Sequence, residues 1–509
     1  MLRPGPALVL ALALIASTRA FGADYYVKQG GDNNKTGLNS GQAWASLDRA
    51  CGAGPTLAVA PGDTVHVAAG TYPGFVCDGL QALAGQFVKI LSDTPGGAIF
   101  TDGSHPCAQF KNSQYIHFEA FAFGACSGSG VRVEASNHIE VVGCTFQGTG
   151  TNNSIAVVGS TAVLLHGNTI SSAPGNGIGI ATLAATRSSD VALEANRISR
   201  CGGAGLGIDG ADNVTAINNL VFRNHSGGLV LTDGSLTALN NTVFQDTGDG
   251  WCLAVGASTN WLTSKDNILL NAGTNGAIKA ADDNTVGKCA SNANVLTDRF
   301  QIGPNWIQYT KWVNQAGTPD LLSGLSNAPT EFRDYASDNY HLAMGAKAIG
   351  KGVTVPGPPA TPTFDIDGAP RTGVPPDIGA FVFVPYDAGL PPPPDAAVPP
   401  GEDAGPDAAQ PAGEDAAQAA GEDASVPTED SGEAPAPDAA PAEVDAHVPL
   451  ADAAAAAAGP DATPSAGEDA SAAADSWHLG GCGCSAAGPF ATIAAAALLA
   501  LFPLRRRRP

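Results

Sequence analysis

The segment ALEANRI at residues 192–198 shares one pattern with AINNLVF at 216–222 and ALNNTVF at 238–244. Each copy has alternating apolar residues, a polar turn residue, and an apolar residue two places further on. With VVGCTF, LLHGNTI and SKDNILL, the turn residues are Cys144, Asn168, Asn196, Asn219, Asn241 and Asn267, separated by steps of 24, 28, 23, 22 and 26 residues. A recurrence at this period is typical of a solenoid, in which each repeat forms one coil.

A second set of short strands, most of them led by glycine, lies between these copies: GVRV, GIGI, GLGI, GLVL and WCLAV. Strands this short cannot bury an apolar face alone, so the repeats predict a stacked parallel β-solenoid. Asparagine suits the turn because it tolerates the left-handed conformation and its amide can hydrogen-bond from coil to coil. The sequence lacks the hairpin turns of a β-sandwich and the helical period of an α-solenoid.

Three blocks resemble the right-handed parallel β-helix, or pectate-lyase-like, superfamily. They are YYVKQGGDNN…GQAWASLDRA with APGDTVHVAAGTY, the asparagine repeats, and NYHLAMGAKAIGKG…DIDGAPRTGVPPDIGAF. The resemblance implies an all-β, right-handed single-stranded parallel β-helix. We expect an N-terminal cap at 24–62, coils at 63–300 and a closing segment at 301–385. This superfamily includes lyases, hydrolases and adhesins, so the fold alone implies no single function.

The N-terminus predicts export. Residues 1–23 contain Arg3, an apolar run at 7–16, and small residues at Ala20 and Ala23. This order is typical of a secretory signal peptide, and the run is too short for a membrane anchor, which is the alternative.

The C-terminus predicts anchoring. Residues 486–504 are almost wholly apolar and four arginines follow them, which predicts a transmembrane helix with a cytoplasmic end. With Cys482 and Cys484 before the span, residues 478–509 resemble the MYXO-CTERM sorting signal of myxobacterial surface proteins. The resemblance implies a sorting protease, with Cys482 or Cys484 as the processing and anchoring residue. We therefore expect a cell-surface or outer-membrane protein held at its C-terminus, and a plain membrane anchor is the alternative.

The charge is concentrated before this tail. The formal net charge is -23, which argues against nucleic acid as a partner because phosphate binding needs Lys and Arg. Residues 372–504 contain neither Lys nor Arg, and GEDA recurs four times within 386–477. This composition predicts a disordered acidic Ala/Pro-rich stalk. A Ca²⁺-binding tract is the alternative, although regular Asp-x-Asp loops are absent from the sequence.

The strands offer little catalytic chemistry. If Ile178, Ile180 and their counterparts point inward, alternation turns Gly179, Gly207 and Val230 outward. The resemblance implies an active site on these strands and their loops. A lyase there would need carboxylates for Ca²⁺ and an Arg or Lys base, and a hydrolase would need paired Asp residues.

The loops supply the candidate residues. Asp209 and Asp233 follow their strands on consecutive coils, and arginines follow two turn asparagines by four residues, so we expect one cluster near an edge. The catalytic candidates are Asp209, Arg223, His225, Asp233 and Asp249, with Asp246 nearby, and the substrate-binding candidates are Arg200, Trp251 and Trp261. His138 and His166 are interpreted as structural.

Two functions stay open at this stage. The preferred one is binding of polysaccharide or extracellular matrix without catalysis, cofactor or metal. The alternative is a polysaccharide lyase, with Ca²⁺ as a possible cofactor, or a glycoside hydrolase. Eight cysteines precede the stalk and allow 105 pairings by combinatorics alone. Disulfides are expected in an oxidising compartment, and Cys144 is alternatively a buried free thiol.

Overall fold

The structure is a computed structural model that describes residues 22–51, 59–102, 106–148, 150, 152–246, 250–308, 319–323 and 328–385, with residues 102, 328 and 329 described as backbone. Its main part is a parallel solenoid of about ten coils, in which strands stack into three columns, here named faces A, B and C. This confirms the predicted all-β parallel solenoid. The predicted signal peptide (apart from residues 22 and 23), the stalk, and the tail with Cys482 and Cys484 lie outside the described residues.

Faces A and B form one 19-stranded sheet because three long strands belong to both: Ala204–Ile217, Gly227–Leu239 and Trp251–Lys265. The other strands of face A are Phe75–Asp78, Ala108–Lys111, Val131–Glu134, Ile155–Val158, Ile178–Ala181, Ile278–Ala280 and Phe300–Ile302, with the antiparallel Asn305–Ile307 at its end. The other strands of face B are Asp24–Val27, Thr64–Val67, Val88–Ser92, Gln114–Glu119, Asn137–Val142, Thr161–His166, Ser188–Glu194 and Cys289–Asn292.

Face C is a separate 11-stranded parallel sheet. Its strands are Gly70–Tyr72, Ala98–Asp102, Ala122–Cys126, Thr145–Gln147, Thr169–Ser171, Arg197–Ser199, Leu220–Phe222, Thr242–Gln245, Ile268–Asn271, Val295–Thr297 and Leu321–Ser323. The described helices are short: Asp283–Val286, Ala328–Glu331, and the 3-10 turns Ser40–Gln42, Leu47–Arg49 and Tyr335–Ser337. Among the described residues, no helix is long and apolar enough to cross a bilayer.

Alternation builds the core. In Ile178–Ala181 and its neighbours, Ile178, Ile180, Leu206 and Ile208 are buried inside the coils. The core continues to the N-terminal end, where Trp44 is 1% exposed and stacks on Tyr25 at 4.9 Å between ring centroids. The ladder of face B begins within the segment predicted as a cap, because Asp24–Val27 pairs in parallel with Thr64–Val67.

The predicted asparagine column is present at the turn from face B to face C. The Asn196 Oδ1 accepts hydrogen bonds from the backbone N–H and the Nδ2 of Asn168, both at 3.0 Å. The same pair of bonds links each later member to the next, through Asn219, Asn241, Asn267, Asn294 and finally Asp320. Cys144 heads the column, and its N–H donates to Asn168 Oδ1 at 3.0 Å.

The prediction that these asparagines adopt the left-handed backbone conformation is wrong. The left-handed residue is the one before each ladder position, for example Ala195, Asn218 and Asp266 at φ 55°, 62° and 53°. The ladder asparagines are therefore selected by their amide hydrogen bonds, not by their backbone conformation.

Disulfides occur where the coils begin, as Cys51–Cys77 and Cys107–Cys126. Cys144, Cys201 and Cys252 are buried thiols. Burial raises the pKa of Cys144 to about 12 and that of Cys201 to about 11, so both stay protonated at neutral pH. The alternative of a buried thiol at Cys144 is therefore the one that the structure shows.

Residues 328–385 pack against the outer surface of face C and form a second apolar core. Phe244, Ile268 and Leu270 on face C pack in one cluster with Tyr340 and Phe381 of this segment. The segment carries an antiparallel pair, Phe332–Asp334 with Asn339–Leu342. It thereby covers a sheet surface that would otherwise expose apolar side chains to water.

Candidate functional site

Two asparagine side chains cover the outer surface of face A. A Cβ atom at Gly179 would lie 2.3 Å from the Asn153 Nδ2, and one at Gly207 would lie 2.6 Å from the Asn176 Nδ2. Larger residues would collide with these amides. The outward positions are small, as the alternation predicts, but these two are occupied by asparagine rather than open to a ligand.

A charged cluster lies where face A turns into face B, and we name it the turn cluster: Arg187, Asp209, Asp212 and Asp233. Asp209 and Asp233 are register partners on strands that are about 4.8 Å apart. The Arg187 Nε donates to Asp212 Oδ2 at 2.7 Å, and its Nη1 donates to Asp233 Oδ2 at 2.7 Å. One guanidinium therefore bridges carboxylates on two successive coils.

The turn cluster changes the acidity of its members. Hydrogen bonds from Asp233 and Asp212 raise the pKa of Arg187 further above its usual value, so Arg187 remains charged. Arg187 lowers the pKa of Asp212. Burial and then the charge of Asp233 raise the pKa of Asp209. The two carboxyl groups nearest in register, Asp209 and Asp233, thus lie in different environments, but the cation beside them cannot accept a proton.

A tight loop positions Arg187. The backbone groups of Leu183 and Thr186 hydrogen-bond to each other at 2.8 and 2.9 Å, which holds the loop just before Arg187. On the neighbouring coil, Gly234 has a φ of 120°, and a Cβ there would lie 1.7 Å from the Ala211 carbonyl oxygen. Sequence reasoning missed Arg187 and Asp212 because neither occupies a repeated position.

Arg223 and Arg200 belong to a different part of the molecule. The Arg223 Nε donates to Asp246 Oδ2 at 3.0 Å, and its Nη1 donates to Asp338 Oδ1 at 2.6 Å. Arg200 also pairs with Asp338 and lies over the ring of Phe222. Both arginines therefore hold the segment 328–385 against face C.

The predicted single catalytic cluster is therefore wrong in its arrangement. Arg223 and His225 precede the strand Gly227–Leu239, whereas Asp233 lies at the middle of that strand, where it turns from face A to face B, roughly 20 Å from its start along an extended chain. His225 is exposed, and its backbone N–H donates to the Cys201 carbonyl at 2.8 Å. Asp249 lies outside the described residues.

The two predicted tryptophans are also separated. Trp251 is 5% exposed and packs against Trp306 at 5.4 Å, so its ring faces cannot both receive a ligand. Trp261 lies on face B and is 46% exposed. Trp306 is 50% exposed, with the Arg299 guanidinium over its ring at 4.2 Å. Trp261 is thus the predicted aromatic residue that remains open to solvent.

A cleft of about 880 Å³ lies on the outer side of face B. Its floor includes the outward residues Asn213, Thr215 and Ile217 of one strand. Glu194 and His166, in register with Ile217 on the two preceding coils, extend this floor, and residues 358–365 form its roof. The His166 Nδ1 lies 3.8 Å from Glu194 Oε2, and Glu194 raises the pKa of His166. The sequence interpretation of His166 as merely structural missed this cleft, because its roof comes from a segment about 190 residues later.

Among the residues that the structure describes, no group of three or more His, Cys, Asp or Glu side chains is arranged to hold a metal ion.

The coils match the family model for a right-handed β-helix region over residues 92–243 and 129–291. Among solved structures, the pectate lyase Pel9A is similar at 14% identity and a TM-score of 0.41, covering 72% of this chain and 98% of its own. An alginate lyase from Paenibacillus has 14% identity, 55% and 95% coverage and a TM-score of 0.32. PfbA, a surface adhesin of Streptococcus pneumoniae, has 10% identity, 52% and 83% coverage and a TM-score of 0.31. No curated protein sequence matches this chain. The fold is that of a right-handed parallel β-helix repeat protein.

Proposed function

We propose that this is an exported protein that binds polysaccharide, or an extracellular matrix containing it, through the solenoid without catalysing a reaction. The observation that carries this proposal is the state of Arg187. Both edges of its guanidinium donate to carboxylates and its pKa is raised, so Arg187 stays protonated and cannot act as the base that abstracts a proton from a sugar ring. Binding needs only hydrogen-bonding groups and an exposed aromatic ring, and Asp212, Asn260 and Trp261 provide them.

The polar and aromatic groups are close in the fold. The Asn260 Nδ2 donates to Asp212 Oδ1 at 3.2 Å, and Trp261 is the next residue in the chain. The Trp261 Nε1 donates to Thr263 Oγ1 at 3.1 Å, which orients the ring. An indole with one fixed edge and an open face beside carboxylate and amide groups suits a sugar, which has both apolar ring faces and hydroxyl groups.

A glycoside hydrolase is the second candidate, because Asp209 and Asp233 are register neighbours and the pKa of Asp209 is raised. Asp209 would be the general acid and Asp233 the second carboxylate. The Arg187 Nη1 and Nη2 lie 2.7 and 3.3 Å from the two oxygens of Asp233, which reduces its strength as a base or nucleophile. A lyase fits less well, since Arg187 cannot act as its base.

Incubation of the full chain with a polysaccharide panel, with and without Ca²⁺, separates these functions. We expect retention on at least one immobilised polysaccharide, with no new reducing ends and no unsaturated-uronate absorbance. Trp261→Ala should weaken binding by about tenfold, the effect of losing one well-placed aromatic contact. Trp306→Ala is the matched control, because Trp306 is equally exposed but lies on another surface.

Turnover would overturn this proposal if Asp209→Asn or Asp233→Asn abolished it while binding persisted. Equal losses on Trp261→Ala and Trp306→Ala would instead show that neither ring marks a specific site.

A further inference from the structure

The cleft on face B is held open by its own anchored roof. The Asp365 carboxylate is buried and accepts hydrogen bonds from the backbone N–H groups of Asp367, Ala369 and Val382 at 2.9, 2.7 and 2.9 Å. The Asn218 Nδ2, from the floor, donates to the Phe364 carbonyl at 3.2 Å. The roof is thus fixed by both its own segment and the solenoid, so the cleft does not depend on a ligand to form it.

The lining of the cleft is mixed. Asn213 and Thr215 present polar side chains from the floor, and Phe364 presents a ring that is 56% exposed. Ile217 and the prolines at 358, 359 and 362 add apolar surface. A volume of about 880 Å³ with an apolar lining and a few polar groups falls in the range of ligand-binding sites.

The charge around the cleft is mainly negative. Glu194 and Asp365 line the cleft, and the Asn213 Nδ2 donates to Asp190 at 2.5 Å beside the floor. The Arg371 guanidinium adjoins the lining, because its Nη2 donates to the Asn218 Oδ1 at 2.9 Å. The next residue before Asn213 is Asp212 of the turn cluster, where three carboxylates face a single arginine. A polyanion such as a polyuronate would be repelled here, whereas neutral hydroxyl groups can donate to these carboxylates.

The cleft and the exposed tryptophan lie on the same outer surface of face B. The Asn213 N–H donates to Ser235 Oγ at 2.7 Å, and Ser235 is the register partner of Trp261. Trp261 therefore lies about two coils, or roughly 10 Å, from the cleft floor. The floor strand itself extends about 17 Å from Asp212 to Ile217, so an extended chain could contact all of these residues.

We infer that this cleft, continued to Trp261, is the binding groove for an uncharged polysaccharide chain, and that it selects against polyuronates by charge. The inference rests on the proposed polysaccharide binding and assigns its location and ligand class. The apolar ring faces of the sugars pack on Phe364 and Trp261, and their hydroxyl groups bond to Asn213, Thr215 and Glu194.

The test measures affinities of the full chain, in a non-glycosidic detergent, for cellohexaose, laminarihexaose and mannohexaose, and for polygalacturonate and alginate. Wild type should bind at least one neutral oligosaccharide and neither polyuronate. Thr215→Trp fills the cleft floor and should weaken this binding at least about tenfold. Thr145→Trp is the matched control, because Thr145 is an outward, exposed threonine on face C.

A second variant tests the groove without the risk that a large side chain disrupts folding. Phe364→Ala removes an exposed ring without altering the core, and it should also weaken binding about tenfold, whereas Phe364→Trp should retain it. Thermal unfolding midpoints and far-UV circular dichroism verify each variant.

The outcomes separate this inference from the proposed function. Unchanged affinity in folded Thr215→Trp and Phe364→Ala, with loss on Trp261→Ala, overturns the groove and leaves polysaccharide binding intact. Binding of polyuronates alone overturns the ligand class. No binding to any probe overturns the proposed function, and with it the groove.

Discussion

At the scale of single residues, the stack depends on amides that are completely hydrogen-bonded. The Asn219 Oδ1 accepts from the backbone N–H of Asn196 at 2.9 Å and from its Nδ2 at 3.0 Å. The Asn219 Nδ2 donates to the Leu193 carbonyl and to Asn241 Oδ1, both at 2.9 Å. Its residue exposure is 2%, so water cannot replace these partners. A buried polar group that loses its partner costs more than the bond itself contributes.

Asn219→Ala should therefore destabilise the protein strongly. It leaves a buried N–H of Asn196 and a buried carbonyl of Leu193 without their partner, for an expected loss of about 2–4 kcal/mol. Chemical denaturation monitored by circular dichroism measures it. Asn34→Ala is the control, because Asn34 is exposed and bonds locally to Asp32, and its effect should stay within about 0.5 kcal/mol. Equal effects would contradict a structural role of the ladder.

At the scale of elements, face C shows why the closing segment packs where it does. Thr169–Ser171 alternates between exposed and buried residues, whereas all residues of Leu220–Phe222 and Ile268–Asn271 are buried. A strand that is apolar on both sides needs cover on both. The apolar segments LVF and ILL in these two strands therefore indicate that face C is covered. The sequence does not show which segment covers it.

A buried carboxyl group makes this packing depend on pH. Burial raises the pKa of Asp266 to about 7, while a hydrogen bond from the Val353 N–H and the charges of Arg371 and Lys265 oppose the shift. Because the folded pKa exceeds the unfolded one, the stabilisation is complete below about pH 4 and is lost as pH rises through about 7. Burial also raises the pKa of Glu331 in the same segment, with the same sign.

We therefore expect the thermal unfolding midpoint to fall between pH 5 and pH 8. The protection factors of the Ile378 and Gly379 amides, which correct exchange rates for base catalysis, should fall with it. Asp266→Asn keeps an acceptor for Val353 but carries no charge, so it should flatten this dependence and stabilise the protein at pH 8. Asp298→Asn, an exposed carboxylate, is the control. A midpoint that rises with pH in the wild type would refute this sign.

At the scale of the whole molecule, repetition determined what the sequence could predict. A fixed asparagine every 22 to 28 residues indicates the coils, their core and the position of Cys144 from the sequence alone. The sequence predicts two of the four residues of the turn cluster. Asp209 and Asp233 follow repeated strands, but Arg187 lies in a loop, and its partners are 25 and 46 residues further along the chain. Contacts made across coils by non-repeated residues leave no periodic signal.

The placement of the molecule in the cell rests on segments outside the described residues, and we propose it from their chemistry. An apolar span at 486–504 followed by four arginines should stop in a membrane with its end in the cytoplasm. The acidic segment before it, without Lys or Arg, should keep the solenoid and its groove away from an anionic surface by repulsion.

Deletion of residues 480–509 should release the protein into the medium, measured by immunoblot of cell and medium fractions. Replacement of both Cys482 and Cys484 by Ser distinguishes a sorting signal from a plain anchor, because it leaves the apolar span intact. If a protease processes the tail at these cysteines, the double variant should accumulate as an uncleaved, larger species in the inner membrane. If the span is a plain anchor, the double variant should fractionate and migrate like wild type. Retention of the deleted form on cells would contradict C-terminal anchoring and would place the attachment in the solenoid itself.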